Sequence, residues 1–294
     1  MEHRPVLLKE VVHNLKPGAG DVVLDATAGG GGHAEELLRK ITPGGRLIAV
    51  DKDPEAMERT RHRLMEFADA VTCVNDDFRN IEKIFGHLGI TSIDKALFDL
   101  GMSSFQVDDG KRGFSFSKEG DLDMRFDPDK GISAREIVNK FSSAALADII
   151  KKFGEERYAV LVAKKISSVR GKRRIKTTSE LKDIIVDAIG RKYRKQRLHP
   201  AIRTFQALRI YVNDEITAAE EGIKKTIDYL AEKGRICVIS FHSIEDRLVK
   251  NIFRDGAKDR QLKILTKKPI VPEEGEVRSN PRSRSAKLRA AERL

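Results

Sequence analysis

Short apolar runs alternate with helical patterns over the first hundred residues of the chain. Four of the runs have the length and β-branched composition of buried strands: 21–25, 46–51, 70–75 and 93–99. Helical spacing of apolar residues separates them over 33–40, 54–67 and 81–88, and Asp53 is placed to cap the second of these helices. Strands and helices that alternate at this spacing predict an α/β fold with a parallel, doubly wound sheet.

The pattern becomes helical beyond residue 108. Residues 108–129 are rich in Gly, Asp, Phe and Ser and show no clear period, whereas the apolar spacing over 133–190 is that of helices. Ser133 and Ser179 are predicted helix caps. The strand pattern is missing from this stretch of sequence, so we expect a helical block inserted into the sheet domain.

Strand patterns return towards the C-terminus. A long helix is predicted over 204–230, followed by a buried strand at 235–240, a helix at 244–253 and a strand at 261–266. The last residues, 278–294, have the composition of a basic, polar tail. We therefore predict three segments: a first part of the sheet domain (1–108), an inserted helical domain (109–213) and a second part with the tail (214–294).

The charge of the chain indicates the kind of partner that it binds. The 294 residues have a formal net charge of +11, which points to a polyanion, either nucleic acid or an anionic membrane surface. A basic surface without a partner is the alternative. Apolar runs long enough to span a membrane are missing and no secretory signal pattern opens the sequence, so a cytoplasmic protein that does not bind a membrane is expected.

The two cysteines, Cys73 and Cys237, lie in apolar strand-like runs and are predicted to be core thiols. Their number and positions predict neither a disulfide framework nor a zinc site. No bound metal is expected.

A glycine cluster follows the first predicted strand and is the most informative pattern in the chain. Residues 25–33 have the sequence DATAGGGGH, in which a strand ends, the chain turns on glycines and a helix begins. The P-loop signature is missing, and in a dinucleotide fingerprint counted from Gly30 the position of the last glycine is occupied by Glu35. Asp25 before the glycines suits a cationic ligand. S-Adenosylmethionine is the predicted cofactor, because it carries a sulfonium and an amino group but no phosphate.

Acids at the ends of the next two strands extend this site. Asp51 can accept both ribose hydroxyls, a role that dinucleotide and S-adenosylmethionine sites share. Asp76 and Asp77 follow the third strand, where an acid often meets the adenine amino group. His33 is expected either to help hold the carboxylate of the ligand or to cap the helix. The alternative to a nucleoside site is that the glycines only form a tight turn and the acids only cap helices.

The fourth strand ends at Asp99, where a doubly wound enzyme presents the reacting group. Methyl transfer from a sulfonium needs an acceptor lone pair that is aligned with the methyl group. Oxygens that accept hydrogen bonds from an exocyclic amine would localise its lone pair, and Asp99 and the carbonyls of 99–103 can supply them. Asp99 is therefore the candidate catalytic residue, unless it only contacts the cofactor or caps a turn.

Collinear runs from Arg4 to Arg293 resemble one known family, the bacterial small-subunit ribosomal RNA cytosine-N4 methyltransferases (the RsmH or MraW family). The runs that carry the resemblance are PVLLKEVV, DATAGGGGH, AVDKDP, DLGMSS-Q-D, RGFSF, DLDMRFDP, FGEER, HPAIRTFQALRIYVN-E, ISFHSIEDR and NPRSRSAKLRAAER. Several of these runs have no generic meaning, so their occurrence together is highly specific.

The resemblance implies a Rossmann-like S-adenosylmethionine-dependent methyltransferase fold with an inserted helical domain. It implies methylation of a cytidine at N4 in the decoding region of 16S rRNA, within the small ribosomal subunit. The cofactor contacts that it implies are Gly31, Gly32, His33, Asp51, Phe78, Asp99 and Gln106, with Phe78 packed on the adenine.

Two functions compete with this hypothesis. A nicotinamide-dependent oxidoreductase could share the fold, but the glycine pattern argues against it. A non-catalytic ribosome assembly factor is the other, and the intact glycine loop argues against that. Many amino-methyltransferases carry Asn/Asp-Pro-Pro-aromatic after the fourth strand, whereas this chain has Asp99-Leu100-Gly101-Met102, a difference that the resembled family shares.

Candidate RNA contacts lie in or beside the helical block. Two basic stretches, 170–174 and 191–197, suit phosphates, although a solvated loop would look the same. Tyr193 is a candidate for base stacking. His242 either lines the active site or serves as a capping or core histidine. The acids of 121–125 either hold the edge of the target base or pair with Arg125 and nearby lysines.

Overall fold

The computed structural model describes residues 5–193 and 198–294. Contacts divide the chain into two compact units. The sheet unit comprises Met1–Gly101 and Ile216–Leu294, and the helical unit comprises Met102–Glu215. The inserted segment predicted from the sequence was 109–213, so the contacts place the divisions a few residues outside it at both ends.

A seven-stranded sheet forms the centre of the sheet unit, with strand order β3-β2-β1-β4-β5-β7-β6. Strands β1 to β5 pair in parallel, while β7 runs antiparallel to both β5 and β6. The strands are β1 (Val22–Asp25), β2 (Arg46–Asp51), β3 (Val71–Asn75), β4 (Ile93–Asp99), β5 (Leu230–Ser240), β6 (Leu262–Ile264) and β7 (Lys287–Arg293). Because the strand order reverses between β1 and β4, a crevice opens at their carboxyl ends, where such sheets bind ligands.

Thirteen α-helices are formed by the described residues. They are α1 (Leu8–Leu15), α2 (Gly32–Ile41), α3 (Pro54–Arg63), α4 (Ile81–Leu88), α5 (Ser104–Asp108), α6 (Ala134–Lys140), α7 (Ser143–Gly154), α8 (Ala159–Arg170), α9 (Thr178–Ile189), α10 (Ala201–Asn213), α11 (Glu215–Asp228), α12 (Ser243–Lys258) and α13 (Glu274–Ser279). None of these helices is both long enough and apolar enough to cross a membrane.

The continuous apolar runs of the inner strands are explained by burial on both faces of the sheet. Leu24, Ile48 and Phe98 belong to one core cluster, whereas Val23 and Leu97 belong to another. A strand covered by helices on both faces needs apolar side chains at every position, so its sequence does not alternate. The predicted parallel α/β sheet is confirmed for these strands.

Two predictions about helices need correction. The single helix predicted over 204–230 is two helices, because the backbone of Asp214 adopts the left-handed conformation, with φ of 49°, and ends α10. Ser179 was the wrong cap for α9, which is capped by Thr177 in a reciprocal hydrogen-bonded box with Glu180. The predicted caps Asp53 and Ser133 are confirmed, and each accepts hydrogen bonds from backbone N–H groups of its helix.

The predicted basic tail is also wrong in part, because residues 287–293 form β7 inside the sheet. Leu288, Ala290 and Ala291 are buried. The charge of Arg289 is met by Asp246 of α12, whose Oδ1 lies 2.7 Å from Nε. Arg289 can therefore lie buried in the strand, because Asp246 on the helix packed beside it neutralises its charge.

The helical unit packs α6 to α10 around its own apolar core. Asn213 at the end of α10 accepts a hydrogen bond from the N–H of Phe126 at 2.8 Å and donates to the carbonyl of Met124 at 2.7 Å. Arg209 forms two 2.8 Å hydrogen bonds with the carboxylate of Glu215. These contacts give the polar residues of the run RTFQALRIYVN-E a structural role, because they hold the loop that contains Phe126 and the end of α10.

Candidate active site at the carboxyl edge of the sheet

The loop between β1 and α2 depends on its glycines. Gly29 and Gly31 have positive φ of 55° and 76°, and Gly31 occupies the N-cap position of α2. A Cβ atom on Gly32 would lie 2.6 Å from Cγ of Pro5, so no larger residue fits there without a shift of the chain. Thr60 of α3 donates a hydrogen bond to the carbonyl of Gly29 at 2.9 Å. The loop is therefore held in one shape, close to the helix N-terminus.

Asp51 connects the end of β2 to this loop. Its Oδ2 accepts a hydrogen bond from the N–H of Gly29 at 2.8 Å, and its Oδ1 accepts one from the N–H of Asp53 at 2.9 Å. Burial raises the pKa of Asp51 to about 6, although these two hydrogen bonds oppose the rise. The carboxyl group is fixed in place and its remaining lone pairs can accept further hydrogen bonds.

Asp25 and Asp99 lie at the ends of the neighbouring strands β1 and β4. Asp25 is 1% exposed, and its Oδ1 accepts a hydrogen bond from the N–H of Thr27 at 3.2 Å. The hydroxyl oxygen of Thr27 also accepts a hydrogen bond from the N–H of Asp99 at 2.6 Å. Among the described residues, nothing hydrogen bonds to Asp25 Oδ2 or Asp99 Oδ1, although both atoms are buried. Such oxygens need a proton or a cationic partner.

The electrostatics of the site reflect this crowding of acids. Burial raises the pKa of Asp25 to about 7, and the nearby charge of Asp51 adds to the rise. Burial, followed by the charges of Asp25 and Glu245, raises the pKa of Asp99 to about 8. The Asp99 side chain is still 23% exposed, so solvent reaches part of it. A ligand with positive charge would relieve the repulsion between these carboxyl groups.

His33 lies on the first turn of α2 and is only 7% exposed. Its Nε2 is 3.0 Å from the carbonyl oxygen of Val6, and a carbonyl can only accept, so we assign the proton to Nε2. Its Nδ1 then faces Asp99, with 3.7 Å between Nδ1 and Oδ2. The capping alternative for His33 is wrong, because Gly31 holds that position.

Asp76 and Asp77, which follow β3, accept hydrogen bonds from residues close to them in the sequence. Asp77 accepts hydrogen bonds from the N–H and the side chain of Arg79, at 3.0 and 3.2 Å. Burial would raise the pKa of Asp77, but Lys52 and Arg79 lower it below its usual value. Asp76 accepts hydrogen bonds from the N–H of Asp77 and the amide of Asn80.

The ring of Phe78 is held by the core of the sheet unit. It forms a T-shaped pair with Phe98, with 5.5 Å between centroids and 77° between planes. A Cβ on Gly222 of α11 would lie 2.5 Å from Cδ2 of Phe78, so the ring needs a glycine beside it. Phe78 remains half-buried at the end of β3. The sequence pattern did not reveal this residue; only the family resemblance did.

The end of β5 adds an acid that the sequence analysis missed. His242 caps α12, because its Nδ1 accepts the N–H of Glu245 at 3.3 Å, so the capping alternative is confirmed. Glu245 is 2% exposed, and its Oε2 accepts the N–H of Phe241 at 2.8 Å. Its negative charge contributes to the raised pKa of Asp99. An acid three residues after a cap is a recognisable capping-box signal, and it would have placed Glu245 at this edge.

Gln106 belongs to the helical unit, and its described contacts are local. Its Oε1 accepts the N–H of Ser103 at 3.0 Å, while Ser103 Oγ accepts the N–H of Gln106 at 3.2 Å. This reciprocal pair caps α5. A contact between Gln106 and the cofactor stays a prediction.

Several predicted RNA contacts change in the light of the structure. Tyr193 is buried, and its hydroxyl donates a hydrogen bond to Glu156, so its ring is not available to stack on a base. Asp123 forms an ion pair with Arg125 at 2.7 Å, as the second alternative for that run proposed. Arg173 is exposed and contacts Glu180 at 3.1 Å. The basic residues of 194–197 lie outside the described residues. Both cysteines are free, and Cys237 is buried in β5.

The order of the strands, the antiparallel β7 and the acids around a glycine loop define a Rossmann-like S-adenosylmethionine-dependent methyltransferase fold. A solved structure from Clostridium thermocellum, provisionally described as an rRNA methylase, has a related fold, with a TM-score of 0.50 and 12% identity over 100% of both chains.

The chain belongs to the MraW methylase family, whose model matches residues 1–294, and it is therefore a methyltransferase. A curated relative from Halothermothrix orenii is 47% identical over 100% of this chain and 99% of its own length. Another from Sulfurihydrogenibium sp. is 46% identical over 100% of both chains. Both are named ribosomal RNA small subunit methyltransferase H. The sequence-based assignment to this family is confirmed.

Proposed function

We propose that this chain transfers the methyl group of S-adenosylmethionine to N4 of a cytidine in the decoding region of 16S rRNA. The observation that carries the proposal is the group of buried carboxyl groups around a glycine loop, which suits a ligand with two positive charges and no phosphate. The names of the relatives support ribosomal RNA of the small subunit as the substrate. A protein with this substrate would act in the cytoplasm.

The residues of the sheet unit fit the parts of this cofactor. Asp51 is fixed at the end of β2 with free lone pairs, which suits acceptance of the ribose hydroxyls. Gly31 and Gly32 allow the loop backbone to approach the ligand closely, and the half-buried ring of Phe78 suits packing on the adenine. His33 and Asp99 complete the proposed set from this unit, and a cofactor contact from Gln106 stays a prediction of the family resemblance. When bound, S-adenosylmethionine supplies an electrophilic methyl group.

Asp99 is the residue that we propose acts on the acceptor. The Asp99 side chain is 23% exposed, and its carboxyl group suits a hydrogen bond from the N4 amine, which would localise the nitrogen lone pair. As the new N–C bond forms and the S–C bond breaks, N4 must lose one proton. Ionised Asp99 can receive it, and the raised pKa of this carboxyl group favours holding the proton. His33 Nδ1 lies 3.7 Å from Oδ2 of Asp99, and because Nδ1 carries a lone pair it favours the protonated form of this carboxyl group.

The cysteines support an amine rather than a ring carbon as the target. Methylation at carbon five would need a thiolate nucleophile. Cys237 is fully buried in β5, and burial raises the pKa of its thiol. Cys73 lies in β3, and burial raises the pKa of its thiol too. Neither cysteine lies at the end of β4.

The distribution of charge supports an RNA partner for the helical unit. Between Met102 and Glu215 the sequence has 25 Lys and Arg against 16 Asp and Glu, so this unit carries +9 of the net charge of +11. Positive charge concentrated in one unit favours phosphate contacts there. The first basic stretch, 170–174, lies wholly within the described residues, and its residues 171–174 are exposed.

The decisive experiment follows labelled methyl groups from S-adenosylmethionine into naked 16S rRNA and into small subunits. Nucleoside mass spectrometry should recover N4-methylated cytidine. Asp99→Asn should lower turnover far more than Cys73→Ser or Cys237→Ser, which serve as matched controls. Label recovered in 5-methylcytidine or in 2′-O-methylcytidine would overturn the proposal.

A further inference from the structure

Two family-specific runs that the proposed active site does not use meet on the surface of the helical unit. Phe116 ends the run RGFSF, and His199 opens the run HPAIRTFQALRIYVN. Their rings are stacked, with 4.7 Å between centroids and 14° between planes. Phe116 also forms a T-shaped pair with Phe205, which is buried in the helical core, with 5.6 Å between centroids and 72° between planes. Three rings therefore lead from the core to the surface and end at His199.

His199 is the exposed end of this series. One face of its imidazole lies against Phe116, so its exposed area comprises the opposite face and the ring edge. Its Nδ1 accepts the N–H of Ala201 at 3.2 Å, at the start of α10. Nδ1 therefore carries a lone pair, and the proton of the neutral ring is on Nε2. Burial and the charge of Lys182 lower the pKa of His199, which favours the neutral ring.

We propose that the Phe116–His199 pair is a stacking site for one unpaired base of the RNA substrate. Aromatic side chains stack on the bases of single-stranded RNA, and the stacked pair is already ordered before RNA binds. This inference rests on the proposed RNA substrate and assigns it a contact that is distinct from the phosphate contacts of the basic stretches.

The positive charge around the Phe116–His199 pair favours RNA over a protein as its binding partner. The unit that carries the pair has a net charge of +9, and Lys182 is close enough to lower the pKa of His199. An exposed aromatic ring in a cationic surface matches the combination by which proteins bind single strands, with stacking for the bases and cations for the backbone.

His199 has two separable structural features, which allows a matched pair of variants. His199→Asn keeps a side-chain acceptor for the N–H of Ala201 but has no ring. His199→Phe keeps a ring on Phe116 but has no acceptor. A stacking role predicts that only the first variant weakens RNA binding, whereas a purely structural capping role predicts that only the second does.

The test measures binding of a fluorescein-labelled single-stranded RNA oligonucleotide with the decoding-region sequence by fluorescence anisotropy. His199→Asn should weaken binding by about fivefold to a hundredfold, and His199→Phe should bind within about twofold of the unaltered chain. Oligonucleotides with one abasic position each should identify the stacked base, because its removal weakens binding to the unaltered chain and not to His199→Asn. Circular dichroism and S-adenosylmethionine affinity check that both variants fold.

The outcomes separate this inference from the proposed function. RNA affinity that is unchanged in His199→Asn, or abolished in His199→Phe, would overturn the stacking site while leaving the methyltransferase proposal intact. No RNA binding by the unaltered chain would refute the proposed substrate, and the stacking site with it.

Discussion

Replacing Asp25 by asparagine is expected to stabilise the ligand-free sheet unit at alkaline pH and not at acidic pH. Asp25 is 1% exposed, and its Oδ2 has no partner among the described residues. Burial raises the pKa of Asp25 in the folded chain above its value in the unfolded chain, so the folded state holds the proton more tightly. Stability is therefore lost as the pH rises from the unfolded pKa to the folded pKa.

The magnitude follows from the two pKa values. The pKa of Asp25 rises from 3.8 to about 7, and within that window each pH unit lowers the free energy of unfolding by at most about 1.4 kcal/mol. The full window corresponds to an upper limit of about 4 kcal/mol above pH 7. Two effects keep the gain from Asp25→Asn below this limit. Asp51 takes part in the repulsion between the carboxyl groups, and the new amide brings an N–H donor that lacks a partner, which costs about 1–3 kcal/mol. We expect Asp25→Asn to be near neutral at pH 5 and stabilising by about 2 kcal/mol at pH 8.

Urea unfolding at pH 5, 6, 7 and 8 measures this difference. Pulse hydrogen exchange with mass spectrometry of peptides that contain β1 and β2 restricts the readout to the sheet unit. Asp69→Asn is the matched control, because Asp69 is exposed. A difference between Asp25→Asn and the unaltered chain that is equal at pH 5 and pH 8 would refute the reasoning.

The same substitution should act in the opposite direction on the cofactor. A cationic ligand binds the ionised carboxylate, so the affinity of the unaltered chain for S-adenosylmethionine should rise from pH 6 to pH 8. Asp25→Asn should bind more weakly at pH 8 and show a flatter pH dependence. Isothermal titration calorimetry across this range tests both statements. Equal affinity of the two proteins at pH 8 would remove Asp25 from the cofactor site.

Three further predictions concern other parts of the molecule. Asp51→Ala should weaken S-adenosylmethionine binding by roughly tenfold or more, and unchanged affinity in calorimetry would exclude the ribose contact. Replacing both Arg173 and Arg174 by alanine should flatten the salt dependence of RNA binding by about one slope unit for each phosphate that is no longer neutralised. Cofactor affinity should be unchanged. An unaltered slope would identify this stretch as ordinary solvated surface. Tyr193→Phe should lower the free energy of unfolding of the helical unit by about 1–3 kcal/mol, because Glu156 is buried and loses the hydroxyl donor; equal urea midpoints would show that this hydrogen bond contributes nothing.

The acids at the strand ends were predictable because the information is local. A buried parallel strand is a short apolar run, and its last residue is the first that can be polar, so the sequence alone places Asp25, Asp51 and Asp99 at one edge of the sheet. The glycine loop was predictable for the same reason. Glu245 was missed, although its position three residues after the helix cap His242 is a local signal that would have placed it at this edge.

Residues in the helical unit were harder to interpret, because the same type of amino acid can be exposed on the surface or buried in the core. Tyr193 lies in a basic run, and sequence alone favours exposure for such a residue. Its burial depends on Glu156, which is 37 positions earlier in the chain and accepts its hydroxyl hydrogen. Partners so distant in sequence leave no periodic signal.

The C-terminal strand shows why a charged segment can be part of a sheet. In β7 the small residues Ala290 and Ala291 are buried, while Arg289 is neutralised by Asp246. Glu292 is paired with Arg235 of β5, the neighbouring strand, at 2.7 Å. Arg289 and Glu292 each have a partner on another element, so burial does not leave these two charges isolated. The sequence of the segment contains its charges but not these partners, so it predicts an exposed tail. The pairing therefore explains both the error in the prediction and the stability of the strand.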